Sequence, residues 1–117
     1  MSQIKRKEHS VKELLEKTRD ILNQRGWCRQ QDLPEGVTNW TRQTDVPICL
    51  GLALFNADDD RSYSATYEEA MELLGQQIDP TATYFNNCLL FDWNDATDRT
   101  RADIDRVLEG AIAACPA

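Results

Sequence analysis

The chain has 117 residues, 41% of them hydrophobic and 28% charged, which suits one globular core and excludes both a disordered chain and a membrane bundle. Its formal charge of −7 is uneven, with nine Lys/Arg against seven Asp/Glu in residues 1–57 and four against thirteen in residues 58–117. Such an acidic surface repels phosphate and argues against ordinary DNA or RNA binding, whose affinity rests on Lys and Arg neutralising phosphates.

The first ten residues, MSQIKRKEHS, hold no apolar segment of the kind a secretory signal needs, and no apolar run reaches the roughly 18 residues of a membrane span. The expectation is a cytoplasmic protein without a membrane partner. Residues 1–9, with Lys5-Arg6-Lys7, read as a flexible basic arm, and residues 10–117 as a single helical domain.

The first predicted helix runs from Val11 to Arg25, where Val11, Leu14, Leu15, Thr18, Ile21 and Leu22 form one stripe at helical spacing. Ser10 and Glu13 have the spacing of a capping box, and Gly26 can end the helix in a conformation that side chains disfavour. The stretch that follows, WCRQQDLPEGVTNWTRQTDVP, is rich in polar and turn-forming residues and carries two tryptophans. A loop of this length is uncommon unless it is functional or disordered, so Trp27 and Trp40 are candidate partner contacts as well as candidate anchors to the core. A small β-hairpin in the 27–44 segment, turning at Glu35-Gly36, is a further expectation.

Asp45 and Pro47 are suitable residues for the start of a second helix, PICLGLALFNA, which is apolar nearly all round and therefore central, with Gly51 admitting a close neighbour. A third helix is expected from near Thr66, with Thr66 and Glu69 as its capping box and Gly75 at its end, and a shorter fourth from Asp79-Pro80 through Tyr84, Phe85, Cys88 and Leu89. In the last, Ile104, Val107, Leu108, Ala111 and Ile112 make the apolar stripe, with Asp98 or Thr100 as its cap. The Trp93-Asn94-Asp95 triplet before it reads as a turn, with Trp93 filling the gap between two helices.

Four cysteines, Cys28, Cys49, Cys88 and Cys115, stand without a C-x-x-C pair beside a single histidine, His9. That spacing lacks the tight pairs of a structural zinc site, and no cofactor is implied. Cys49 and Cys88 lie in apolar strings, where a thiol behaves as a small hydrophobe. In DDDRSYSATYEE, residues 58–69, Asp58, Asp60, Ser62, Thr66 and Glu69 fall at ligand positions of a calcium loop, but Tyr63 occupies the position where the sharp turn needs glycine. A solvated acidic connector is the simpler reading, and no metal site is assigned. No catalytic residue is assigned either: a cysteine nucleophile needs a nearby base, and His9 sits on a charged arm.

Three short motifs in order, GWC at 26–28, CLGLAL at 49–54 and WNDATDRT at 93–100, followed by an amphipathic helix, resemble a family of small helical proteins of unknown function found in actinobacteria and their phages. The resemblance covers about residues 10–114 and departs in the middle motif, where the glycine stands two residues after Cys49 instead of three. It implies a helical fold and a phage setting, without implying a chemistry. Trp93, Asn94, Asp95, Arg99 and Thr100 are its structural motif.

These readings converge on a mainly α, single compact domain of four to five helices. The function expected is that of a small acidic protein-binding module, a phage-encoded modulator of a host protein, whose partner contacts are Trp27, Trp40, Asp58, Asp59 and Asp60. Two alternatives come from other classes: a hydrolase-like enzyme using Asp92 and Asp95, and an acidic DNA mimic.

Overall fold

The computed structural model describes residues 10–33, 46–58, 65–82 and 85–115. Among them are five α-helices: α1 (Val11–Arg25), α2 (Leu50–Ala57), α3 (Ala65–Ile78), α4 (Asn87–Asn94) and α5 (Arg101–Ala114), with a single 3-10 turn at Gln30–Asp32. The described residues form a single, mainly α-helical globule, as the periodicity implies.

Helix α1 has the predicted bounds and ends. The Glu13 N–H donates to Ser10 Oγ at 3.1 Å and the Ser10 N–H to Glu13 Oε1 at 3.0 Å, which supplies two of the acceptors that helix geometry leaves wanting. At the other end Gly26 takes φ 88°, a conformation open to glycine, while its N–H still donates to the Leu22 carbonyl. Leu14, Leu15 and Leu22 are buried along the predicted stripe. Thr18 is buried with them because its hydroxyl donates to the Leu14 carbonyl at 2.8 Å.

Helix α2 is central. Leu50, Gly51, Leu52, Ala53, Leu54 and Ala57 are all buried, and the helix packs against α1, α3 and α4. Gly51 has a packing role: a Cβ there would stand 2.8 Å from the Phe91 ring, so the missing side chain is what lets α4 approach. The third layer of packing comes from α5, whose Ile104, Val107, Leu108 and Ala111 face α1 and α3. The Phe55 and Tyr67 rings stand edge to face, their centroids 6.3 Å apart, joining α2 to α3.

Several boundaries differ from the expectation. Helix α2 starts at Leu50 with Cys49 as its cap, because Ile48 is held extended in an isolated parallel bridge to Trp27; the proposed cap Asp45 lies outside the described residues. The Thr66/Glu69 capping box is not formed, since α3 already begins at Ala65 and Thr66 is inside it, and Gly75 is buried within that helix instead of ending it. Asp79-Pro80 does not start a helix. Asp79 accepts from the Thr81 N–H and hydroxyl, closing a turn of its own, and α4 begins only after Asn86, whose side chain accepts from the Leu89 N–H. Trp93 and Asn94 therefore belong to the last turn of α4, and only Asp95 caps it. No hairpin occurs among the described residues of the 27–44 segment, whose residues 34–44 lie outside them. Residues 1–9, His9 included, and Asp59, Asp60 and Ser62 of the acidic connector lie outside them too.

Candidate functional site

The three motifs meet at one buried side chain. Asn94 ends α4, four residues after the buried Leu90, so the helix turns an amide onto its core face, fully buried. There Asn94 Oδ1 accepts from the Trp27 indole N–H at 2.6 Å and from the Leu50 N–H at 3.0 Å. Its Nδ2 donates to the Cys28 carbonyl at 3.1 Å and to Asp95 Oδ1 at 3.1 Å. One amide thus forms a clasp that ties the segment after α1, the first turn of α2 and the end of α4, with both its oxygen and its nitrogen doubly used.

Around this centre, residues 26–33 form a strap over the turn between α4 and α5. The Gln30 N–H donates to Asp95 Oδ1 at 2.8 Å, Gln31 Nε2 to the Asp95 carbonyl at 2.8 Å, and the Arg29 guanidinium to the Thr97 carbonyl. Arg29 also makes a forked pair with Asp32, with Nε to Oδ2 and Nη2 to Oδ1 both at 2.9 Å. That hydrogen bonding, first from the Arg29 side chain and then from its backbone N–H, holds the exposed Asp32 carboxyl below its ordinary value. On the strap's other side the Cys28 N–H donates to the Ile48 carbonyl at 3.3 Å and the Ile48 N–H to the Gly26 carbonyl at 2.9 Å.

The second half of the last motif braces the same turn. Arg99 lies over the Trp93 ring, 4.1 Å from its centroid, and its Nε donates to the Trp93 carbonyl at 2.8 Å. Thr100 caps α5 in a reciprocal box with Asp103, which settles the choice between Asp98 and Thr100. Trp93 itself is half-buried against the core, a brace under Arg99 as well as a filler between helices.

The chemistry of the site follows from burial. Desolvation pushes the Cys28 thiol up to about 11 and the Cys49 thiol up to about 12, so both stay protonated near neutral pH and neither supplies a thiolate nucleophile there. Cys49 acts as a cap, with its sulfur accepting from the Leu52 N–H at 3.4 Å. Cys88, expected in apolar surroundings, is instead exposed in the first turn of α4, because only one face of that short helix meets the core. None of the four cysteines is joined in a disulfide.

Trp27, half-buried with its indole N–H committed to Asn94, joins the core to the strap. Asp58 is not on the surface: it ends α2, its N–H donating to the Leu54 carbonyl, and is 7% exposed. Trp40, Asp59 and Asp60 lie outside the described residues. Asp92 is exposed on α4, and Asp95 is partly buried in the clasp just described. Among the described residues no three His, Cys, Asp or Glu side chains gather closely enough to hold a metal ion, and no helix is long and apolar enough to cross a membrane. Sequence reasoning placed the motif but missed Asn94 as its centre. The available signal was its place four residues after Leu90, one helical turn along the same face.

The profile of a family of unknown function, DUF6197, matches residues 6–114, and the chain belongs to that family. No curated protein and no solved structure matches it.

Proposed function

We propose that this member of DUF6197 is a small acidic protein-binding module, acting in its biological setting as a phage-encoded modulator of a host protein. The observation that carries the reading is that the clasp spends its polar groups on holding aromatic and cationic side chains still. Trp27, Trp93 and Arg99 are each only partly buried, yet the first is fixed by Asn94 and the other two by each other. Trp and Arg dominate binding energy at protein interfaces, and they bind best when their ordering entropy has already been met in the free protein. The net charge of −7 adds attraction for a basic or mixed surface. The protonation of Cys28 and Cys49 and the use of Asp95 as an acceptor for Gln30 and Asn94 favour binding over turnover. Trp40, Asp59 and Asp60 are the further contacts of this proposal.

Affinity capture from a bacterial lysate tests it, with the intact protein and with Trp40→Ala and a charge-reversed Asp59→Lys/Asp60→Lys variant. The expected result is one dominant protein, which when purified binds directly and loses about tenfold in affinity to at least one variant of unchanged melting temperature, as removal of an anchor residue does. Capture of nucleic acid alone, or turnover in a hydrolase screen that depends on Asp92 or Asp95, would overturn the proposal.

A further inference from the structure

The bridge between Trp27 and Ile48 is parallel, and its two hydrogen bonds, Ile48 N–H to Gly26 and Cys28 N–H to Ile48, fix the register. The residues that follow on the two segments, Cys28 and Cys49, are thereby brought close, the Cys28 N–H reaching the carbonyl that immediately precedes Cys49 at 3.3 Å. Cys49 is extended, at φ −82°, ψ 164°, and so is Arg29, the residue after Cys28, at φ −89°, ψ 159°. Paired extended segments run about 4.8 Å apart, and a disulfide needs Cα atoms roughly 4.4 to 6.8 Å apart. Each bridged residue is followed by a cysteine, and both thiols are buried, at 5% and 0% exposure. Cys28 is also among the groups whose field raises the Cys49 thiol.

We propose that Cys28 and Cys49 are a redox latch: oxidation by a low-molecular-weight disulfide joins them and locks the strap of residues 26–33 onto the start of α2. The reaction balances as two exchanges. A Cys28 thiolate attacks one sulfur of the small disulfide, forming a mixed disulfide and releasing one small thiolate; the Cys49 thiolate then attacks the Cys28 sulfur and releases the second. The two protein thiols lose two electrons, the small disulfide gains them, and the two thiol protons end on the two released thiols. The clasp guards this step. While the strap is closed, burial keeps both thiols protonated and shielded, so oxidation waits for the strap to lift from the α4–α5 turn, where Arg29, Gln30 and Gln31 hold it through hydrogen bonds at its exposed edge.

The test uses the full chain with Cys88→Ser and Cys115→Ser, treated with oxidised glutathione at pH 8, and the same protein with Arg29→Ala, which releases one tie at the exposed edge. The expected result is paired loss of both thiols, a linked peptide joining Cys28 to Cys49 in monomeric protein, reversal by dithiothreitol, and an oxidation rate about tenfold higher in Arg29→Ala, the ratio for losing one charge-assisted hydrogen bond from the closed state. Circular dichroism and the melting temperature confirm that each variant is folded, and Gln31→Ala replaces Arg29→Ala if the latter is not. Stable glutathione adducts on separate cysteines without the linked peptide would overturn the proposal. So would thiols that stay reduced in the folded strap variant over the time in which urea-unfolded protein oxidises fully.

Discussion

Asn94 concentrates more of the structure's polar commitments than any other side chain in the motif, and its replacement is the most informative single change. Asn94→Ala would leave the Trp27 indole N–H, the Leu50 N–H and the Cys28 carbonyl without their partner. At about 1 to 3 kcal/mol for each buried polar group so stranded, and with partial relaxation, a loss of about 3 to 5 kcal/mol is expected. Trp93→Ala should cost less, about 2 kcal/mol, because the indole is only half-buried and its stacking on Arg99 is a modest term. Urea denaturation of both variants checks the order, and an Asn94→Ala protein as stable as the parent would remove the clasp from any account of stability. The thiols give a pH signature at the same scale. Cys28 at about 11 and Cys49 at about 12 lie above the ordinary 9.0, so above pH 9 the unfolded chain releases protons that the folded chain keeps. Their contribution is thus full below about pH 9 and falls as pH rises toward the folded values. Urea midpoints should decline over that range, less steeply in Cys28→Ala, while at pH 8 the exposed Cys88 reacts with a thiol reagent before either.

At the scale of the helices, ends and contacts cost differently. Thr100 closes α5 in a reciprocal box with Asp103, a local device, and Thr100→Ala should cost about 1 kcal/mol. The Thr100 backbone N–H, as the first cause, holds the Asp103 carboxyl below 3.8, so that group's stabilisation is present above this value and is lost on acidification through its lowered folded value. Gly51→Ala is the contrasting case. Helix propensity alone would favour alanine by about 1 kcal/mol. The added Cβ meets the Phe91 ring at 2.8 Å, and overpacking of that kind costs about 1 to 3 kcal/mol. The expected sign is a net loss, seen as a lower melting temperature, and a more stable Gly51→Ala protein would show that α4 can retreat from α2 without penalty.

For the molecule as a whole, charge is the long-range property and the clasp the short-range one. With −7 overall and −9 in residues 58–117, encounter with a basic partner should be steered by the field of the whole chain. Screening shortens that field to about 10 Å at 0.1 M salt. The association rate with the captured partner should therefore fall by about tenfold between low and high salt, with the dissociation rate nearly unchanged, as stopped-flow mixing would show. A salt-dependent dissociation rate with constant association would assign the acidic residues to contact instead of steering.

What the sequence determined by itself is whatever helix geometry closes within a few residues. Ser10 with Glu13 bonds across three positions, and the stripes of α1 and α5 repeat every three or four, so the bounds of α1 and the buried faces of both helices are legible without a partner, while the cap of α5 stays open between Asp98 and Thr100. The mainly helical class and the central place of α2 follow from the same periodicity and from its unbroken apolarity. Tertiary structure decided the rest. Trp27 reaches Asn94 across 67 positions, Leu50 reaches it across 44, and Gln30 reaches Asp95 across 65. Nothing in a local window records such a pairing, so Trp93-Asn94-Asp95 reads as a turn until packing brings the strap over it. The same packing delayed α2 to Leu50, because the bridge between Trp27 and Ile48 holds residues that the pattern alone would have let coil. A hydrogen bond between neighbours is set by backbone geometry, whereas one between distant segments exists only after the hydrophobic core has fixed where those segments run.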